Sequence, residues 1–212
     1  MTDVFGSGHP ILTFLNGLAK HTPWLHGAAA VYADWLGVAL LAFVLVVAWW
    51  RARSRNVFAV TMAIWTGGAC LIGLGVNQVI AHAVAEERPY FHLRNVLRLV
   101  PVAHDYSFPS DHSVVAGAIA MGLLLFDRRL GIVATVLGLL LAADRVYVGA
   151  HYGHDVIAGL LIGAVVVVIG RWVVVPWLAR IAAWLAMTAL WPLVVNRRAL
   201  PRHWRLGSVE RA

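Results

Sequence analysis

The apolar runs restrict this chain more than any other feature. They fall at Gly27 to Trp50, Val57 to Val84, Ser110 to Phe126, Leu130 to Val148 and Val156 to Pro176. A helix needs about 20 residues to cross the hydrocarbon of a bilayer. Inside lipid every backbone N–H and C=O must be satisfied within the segment, which a helix does and an open strand does not. The expected fold class is therefore all-α: a polytopic membrane helical bundle of five or six transmembrane helices plus interfacial helices. The third run is short and the second long enough to tilt. Composition agrees, with 61% hydrophobic residues, 13% charged residues and a mean hydropathy of +0.77. A soluble domain would carry roughly a quarter charged residues.

The charges give an orientation. The net charge is +7, and sixteen of the seventeen cations are arginine. Arg51, Arg53 and Arg55 separate runs one and two, Arg128 and Arg129 separate runs three and four, and Arg171 and Arg180 bracket the end of run five. These clusters fall on one side if every run spans. By the positive-inside rule that side is cytoplasmic, which places the N-terminus outside. The loop of residues 85–109 and the turn from Gly149 to His154 then share the outer face. No basic stripe with interleaved aromatics is present, so nucleic acid is not an expected partner. Cys70, the lone cysteine, lies in an apolar run and reads as a small core residue. Asp3 and the lack of an early cation argue against a cleavable signal peptide.

Two further segments are apolar but poor spans. Ile11, Leu12, Phe14, Leu15 and Leu18 follow helical spacing over barely three turns, which suits the membrane interface. Leu178 to Val195 is long enough to cross, but crossing would export Arg197, Arg198, Arg202, Arg205 and Arg211. Residues 178–212 therefore read as an interfacial helix and a basic cytoplasmic tail, with a sixth span as the alternative. The chain 1–212 reads as a single integral membrane domain.

Ionisable groups beside membrane spans are costly and usually functional. They gather here as Glu86-Glu87-Arg88-Pro89, as Pro109-Ser110-Asp111-His112, and as Asp144-Arg145 with His151 and Asp155. Entering through run three and returning through run four brings His112 and His151 to one membrane face, beside Arg88. His151 and Asp155 are four apart, so a carboxylate can hold the imidazole and fix its tautomer. Gly149 and Gly153 permit a tight turn before run five. Ser110 is the expected N-cap of the third run, whose free N–H groups and dipole favour an anion near His112. Arg88 and Arg145 add forked donors suited to phosphoryl oxygens. Together these residues make a phosphoryl-transfer site that needs no metal and no cofactor.

Other polar residues read more plainly. His9, His21, His26, His92 and His104 are interfacial, and Arg94 and Arg98 are solvated loop charges or headgroup contacts. His154, beside Asp155, is interfacial or belongs to the site. Asp34 either caps a shorter first helix or faces the site. Asn77, Gln78 and His82 read as inter-helix hydrogen bonders.

At these residues the sequence resembles the type-2 phosphatidic acid phosphatase superfamily of integral membrane lipid phosphatases. That family's signature is K-x6-R-P, then P-S-G-H, then S-R-x5-H-x3-D. Here it reads Arg88-Pro89, Pro109-Ser110-Asp111-His112, and Asp144-Arg145 with His151 and Asp155, over residues 81–155. The resemblance implies a metal-independent phosphatase with a covalent phosphohistidine. His151 would be the nucleophile, Asp155 its orienter and His112 the general acid, with Arg88, Ser110 and Arg145 holding phosphoryl oxygens. Three positions depart from the pattern. The family lysine falls at Ala81, Asp111 replaces glycine and Asp144 replaces serine. His82, adjacent but turned some 100° away around a helix, is one candidate substitute for the lysine beside the two arginines, and Glu86 is expected to pair with Arg88 or the substrate.

The E-x-R-P and P-S-D-H forms are similar to bacterial undecaprenyl-diphosphate phosphatases. That branch implies a polyprenyl diphosphate substrate, converted to the monophosphate carrier of cell-wall assembly, in the bacterial cell (inner) membrane with an extracytoplasmic site. Expected partners are a lipid-linked phosphate or diphosphate and membrane lipids. Alternatives are a phosphatidic acid or phosphatidylglycerophosphate phosphatase, a lipid-linked phosphotransferase, or a small ion-coupled transporter. Against transport stand the lack of inverted halves and the gathering of polar groups at one face.

Overall fold

A computed structural model describes residues 9–188 and 191–194, all of it helix and connecting turns among the described residues. Helix α1 (Pro10–His21) precedes a rod made of a 3-10 turn (Pro23–Leu25), α2 (His26–Val31), a π turn (Tyr32–Leu36) and α3 (Gly37–Ala52). Then come α4 (Val57–Val84), the short α5 (Pro89–His92), α6 (Asp111–Leu124), α7 (Arg128–Tyr147), α8 (Gly153–Val173), α9 (Val175–Leu185) and α10 (Trp191–Val194). Four stretches among the described residues are long and apolar enough to cross a membrane: Pro23–Ala52, Val57–His92, Arg128–Tyr147 and Gly153–Val173. The Arg197–Arg211 tail and Asp3 lie outside the described residues.

The remaining long apolar run, α6, has fourteen residues. At 1.5 Å per residue it is about 21 Å long. It is enclosed by α3, α4, α7 and α8. Its buried residues, Ser113, Val114, Ala116, Gly117, Ala118, Ile119, Gly122 and Leu123, point in every direction around the axis. A helix apolar all round is one buried all round. Small side chains let its neighbours come close, as in membrane helix pairs generally. The closest approach is to α8, where a Cβ on Gly163 would stand 2.0 Å from the Val114 carbonyl oxygen. Outside the bundle, Phe43, Leu71, Val79, Leu139, Leu161 and Ile169 are exposed, as lipid-facing side chains must be.

One end of the bundle is stitched by arginines. Arg55 Nη1 lies 3.1 Å and Arg51 Nε 3.5 Å from Asp127 Oδ2, which joins the α3–α4 turn to the α6–α7 turn. Arg53 donates to the Pro192 carbonyl at 2.8 Å. Ala182 and Val194 pack on Ala52, Ala59 and Val60 at that same end. The segment carrying α9 and α10 thus remains where α8 ends and does not return across the bundle.

The opposite end holds the 85–109 loop, the α7–α8 turn and α1. Asn16 on α1 donates to the carbonyls of Leu97 (2.7 Å) and Tyr147 (2.9 Å) and accepts from the Leu97 N–H (2.8 Å). Leu99 N–H donates to the Val148 carbonyl at 3.1 Å. These bonds pin the loop over the turn. Gly149 has φ +77°, and a Cβ there would stand 2.4 Å from the Leu97 carbonyl oxygen, so this turn requires glycine twice over. Gly153 has no left-handed backbone. It makes room for Ile11 of α1.

Candidate active site

His151 sits in the α7–α8 turn and is 2% exposed. Its Nδ1 faces two acceptors, the Ser107 carbonyl oxygen at 2.9 Å and Asp155 Oδ2 at 3.2 Å. Neither acceptor can donate, so Nδ1 carries the proton and Nε2 carries the lone pair. Burial pushes the His151 pKa down to about 4 against the upward pull of Asp155, and the Arg145 and Arg88 cations push the same way. The ring is therefore neutral at neutral pH. Asp155 lies in the first turn of α8, where its carboxylate also accepts from the Tyr152 N–H at 2.9 Å and from the Ser107 hydroxyl. One side chain thus serves as helix cap and as imidazole orienter, at the end of the helix dipole that favours negative charge.

The two arginines converge on Nε2. Arg88 Nη1 lies 3.2 Å from it and Arg145 Nη2 lies 3.4 Å from it. Each guanidinium is held from behind by a carboxylate and a backbone carbonyl. Arg88 reaches Asp105 Oδ1 through Nε (2.9 Å) and Nη2 (2.8 Å), and its Nη1 also reaches the Ala150 carbonyl (3.0 Å). Arg145 Nη1 reaches the Ala33 carbonyl (3.2 Å) and Asp34 Oδ1 (3.3 Å). Buried cations without such partners would be strongly unfavourable. The π turn between α2 and α3 supplies the partners of Arg145, the kind of local widening that often marks functional sites.

Arg88, His112, Arg145 and His151 line one cleft of about 350 Å³, with Asp34 and Asp111 on its wall. Asp34 thus faces the site. Ser110 stands at the N-cap of α6 but makes no side-chain cap bond, and its buried Oγ has no hydrogen-bond partner. Asp111 is clamped by Asn77 Nδ2 at 2.7 Å and by Gln78 Nε2 at 3.3 Å. Asn77 also donates to the Pro109 carbonyl at 2.9 Å, so these amides tie α4 to the start of α6.

The structure separates the other candidates from this core. Glu86 does not pair with Arg88. Its Oε2 lies 3.0 Å from His154 Nε2, because Asp105 already occupies the Arg88 guanidinium. Glu87 pairs instead with exposed His92 at 2.8 Å. Asp144 is on α7 beside Arg145 but is not among the residues lining the cleft. His82 Nδ1 contacts the Gln78 carbonyl at 2.8 Å, and its ring meets Tyr106 edge-on at 5.4 Å. Ala81, where the family lysine falls, lines a side hollow of about 270 Å³ together with His82 and His104. That hollow shares Asp105, Tyr106, Pro109 and Asp111 with the cleft.

Sequence reasoning missed Asp105 and Ser107. Asp105 is the sole acid between Arg88 and Ser110, which was a usable signal. Ser107 gave none, since its carbonyl does as much as its hydroxyl. A metal could be held at one place among the described residues: Glu86, His154 and Asp155 offer ligand atoms within 4.8 Å of one another.

The arrangement can present an imidazole lone pair to an electrophile whose oxygens are met by two guanidinium groups, with a second histidine in reach. Comparison with known proteins bears on this chemistry. The sequence pattern of the PAP2 superfamily matches residues 62–179. This chain belongs to the PAP2 superfamily. This PAP2 protein is 32% identical over 158 residues to undecaprenyl-diphosphatase BcrC of Bacillus subtilis, covering 74% of this chain and 79% of that protein. It is 28% identical over 158 residues to the putative undecaprenyl-diphosphatase YbjG of Escherichia coli, covering 73% and 76%. Phosphatidylglycerophosphatase B of Bacillus subtilis is 28% identical over 116 residues, covering 47% and 53%. The crystal structure of a PAP2 type phosphatidylglycerolphosphate phosphatase from Bacillus subtilis shares the fold. Its TM-score is 0.52 at 21% identity, over 79% of this chain and 87% of that one. The PAP2 protein described here is a multi-pass membrane lipid phosphatase.

Proposed function

We propose that this PAP2 phosphatase hydrolyses a polyprenyl diphosphate of the undecaprenyl type to the monophosphate and inorganic phosphate, through a phosphohistidine on His151. The observation that carries the chemistry is the lone-pair Nε2 of neutral His151 set between Arg88 and Arg145. Nε2 attacks the terminal phosphorus and forms a P–N bond as the bond to the bridging oxygen breaks. Burial and the Arg145 cation hold His112, on the same cleft, neutral in the empty site, so the proton it gives to the departing lipid monophosphate is one taken up as the diphosphate binds. Asp155 stabilises the imidazolium that develops on His151, as an orienting carboxylate does in nucleophile pairs. The two guanidiniums hold the equatorial oxygens, where preorganised charge is usually the largest catalytic term. Water then attacks the phosphohistidine and loses a proton to His112. The P–N bond breaks, phosphate leaves with the proton taken up on binding, and both histidines return to their starting states.

The substrate reading rests on the relatives. BcrC and YbjG, which match about three quarters of this chain, carry undecaprenyl-diphosphatase names. The relation to phosphatidylglycerophosphatase B supports a second reading, phosphatidylglycerophosphate as the substrate. The arginine-stitched end, with Arg51, Arg53 and Arg55, supports a cytoplasmic placement of that end in a bacterial cell membrane. The cleft at the other end would then open on the extracytoplasmic side, with residues 1–212 acting as one phosphatase domain.

The test is phosphate release by the purified protein in detergent from undecaprenyl diphosphate, phosphatidylglycerophosphate and phosphatidic acid, ranked by kcat/KM. The proposal expects the diphosphate to lead by about tenfold or more, a gap of about 1.4 kcal/mol in transition-state binding. A lead for phosphatidylglycerophosphate would replace the substrate and keep the chemistry.

A further inference from the structure

His154 and Glu86 take part in none of these steps, yet they stand against the carboxylate on which the nucleophile depends. The two oxygens of Asp155 are divided in use. Oδ2 accepts from His151 Nδ1, the Ser107 hydroxyl and the Tyr152 N–H. Oδ1 faces the other way and lies 3.1 Å from His154 Nε2. That same nitrogen lies 3.0 Å and 3.2 Å from the two oxygens of Glu86. Carboxylate oxygens only accept when ionised, so Nε2 between them is a donor. Its hydrogen bond runs to Glu86, and Asp155 Oδ1, buried and without an aligned donor, sits beside it. The ring is fixed by packing as well. It stacks on Tyr152 at 5.3 Å and 9°, with Phe108 at 5.9 Å and His9 at 6.2 Å.

The consequence lies in the rotation of a carboxylate. The Asp155 carboxylate plane can turn about its terminal torsion, which is broad, and a partial turn takes Oδ2 away from the His151 Nδ1–H. The His154 ring edge, held 3.1 Å from Oδ1 although its hydrogen bond runs to Glu86, attracts that oxygen electrostatically and resists a turn that would move Oδ2 off His151. We propose that His154 is a positioning residue: anchored by Glu86 and stacked on Tyr152, it holds the Asp155 carboxylate in the rotation that orients the His151 imidazole. This rests on the reading of His151 as nucleophile. Glu86 acts through His154 and does not touch the substrate phosphate.

The experiment compares full-length wild type, His154→Leu, His154→Gln and Glu86→Leu in detergent. An aryl phosphate is the substrate, because it needs no lipid recognition, and phosphoenzyme formation is followed by rapid quench. His154→Leu should lower kcat about 10–100-fold, the usual cost of removing an outer partner of a functional histidine. KM should remain within about twofold, since no ground-state contact is lost. Phosphoenzyme formation should slow by the same factor, and His154→Gln, which keeps a donor, should recover most of the rate. If His154→Leu fails to fold, Glu86→Leu carries the test, because it frees the ring and should give the same pattern at smaller size. A kcat within about twofold of wild type, or a KM rising in step with the loss, would overturn the proposal. So would a wild-type activity lost in EDTA, restored by zinc or manganese and insensitive to metal in Glu86→Leu, which would make the trio a metal site. His151→Ala is assayed alongside on the same aryl phosphate. If it keeps activity, the nucleophile assignment falls by itself. An enzyme active on aryl phosphate but not on polyprenyl diphosphate loses only the substrate reading.

Discussion

At the scale of single residues, the site depends on a histidine that is neutral because it is buried between two cations. A pKa near 4 for His151 moves the protonation that would block attack well below the ordinary histidine range. The acid limb of kcat/KM reports the free enzyme, so it should lie near pH 4 and not near pH 6.5. A pH–rate profile of phosphate release, taken on enzyme that stays folded, checks this. A limb at pH 6 or above would mean that burial between the two arginines does not hold His151 neutral. The same depressed pKa has a cost in stability, and its sign follows from proton counting. The unfolded chain binds a proton below pH 6.5 and the folded site does not, so this group removes stability as pH falls from about 6.5 to about 4. The two histidines should also separate kinetically. His151→Ala should abolish turnover, whereas His112→Ala should lose roughly 10²–10⁴-fold, the usual worth of a general acid. With a good leaving group, His112→Ala should accumulate phosphoenzyme, visible as an acid-labile label. Equal losses in both variants, with no trapped intermediate, would count against the division of roles.

At the scale of elements, the site is held by how closely α6 and α8 approach. His112 rides on the first turn of α6, and Asp155 on the first turn of α8. The spacing between these two helix starts is set below them, where Gly163 meets the Val114 backbone and Gly117 meets that of Leu160. Gly163→Leu would drive a side chain into the backbone of α6. It should lower the thermal midpoint in detergent and reduce kcat, although the position is remote from the chemistry. Gly159 and Gly163 are four apart, the spacing of close-packed membrane helix pairs. Preserved activity and midpoint in Gly163→Leu would show that α6 and α8 tolerate a wider gap than the cleft geometry requires. The turn above them adds a second lock. Gly149→Ala imposes a left-handed alanine and a clash with the Leu97 carbonyl. It should destabilise the fold by about 1–3 kcal/mol, read as a lower midpoint.

For the whole molecule, the two ends differ in kind. One is joined by Arg51, Arg53 and Arg55 to Asp127 and Pro192, and the other carries the cleft. If the arginine end is cytoplasmic, a cysteine placed at Asn95 should react with an impermeant thiol reagent in intact spheroplasts. One placed at Ser54 should react only after lysis. Both variants are made in a Cys70→Ser background. The reverse labelling would turn the molecule over and make the substrate a lipid of the inner leaflet.

The sequence by itself determined the helical class, the order of the apolar helices and the residues that meet at one face. Long apolar runs admit one kind of backbone in lipid, and two motifs a span-and-return apart must share an end. His151, Asp155, Arg88 and Arg145 were legible because their chemistry is written in residue type and local spacing. What only the tertiary structure decided was pairing. Glu86 and Arg88 are two residues apart, yet Arg88 turns to Asp105 and Glu86 turns to His154. Asp34 belongs to the site because the π turn between α2 and α3 brings its carboxylate to Arg145, across 111 residues of chain. Contacts of that range depend on which helices pack against each other and at what distance. The glycines of α6 and α8 make the distance small, but sequence position alone does not carry it.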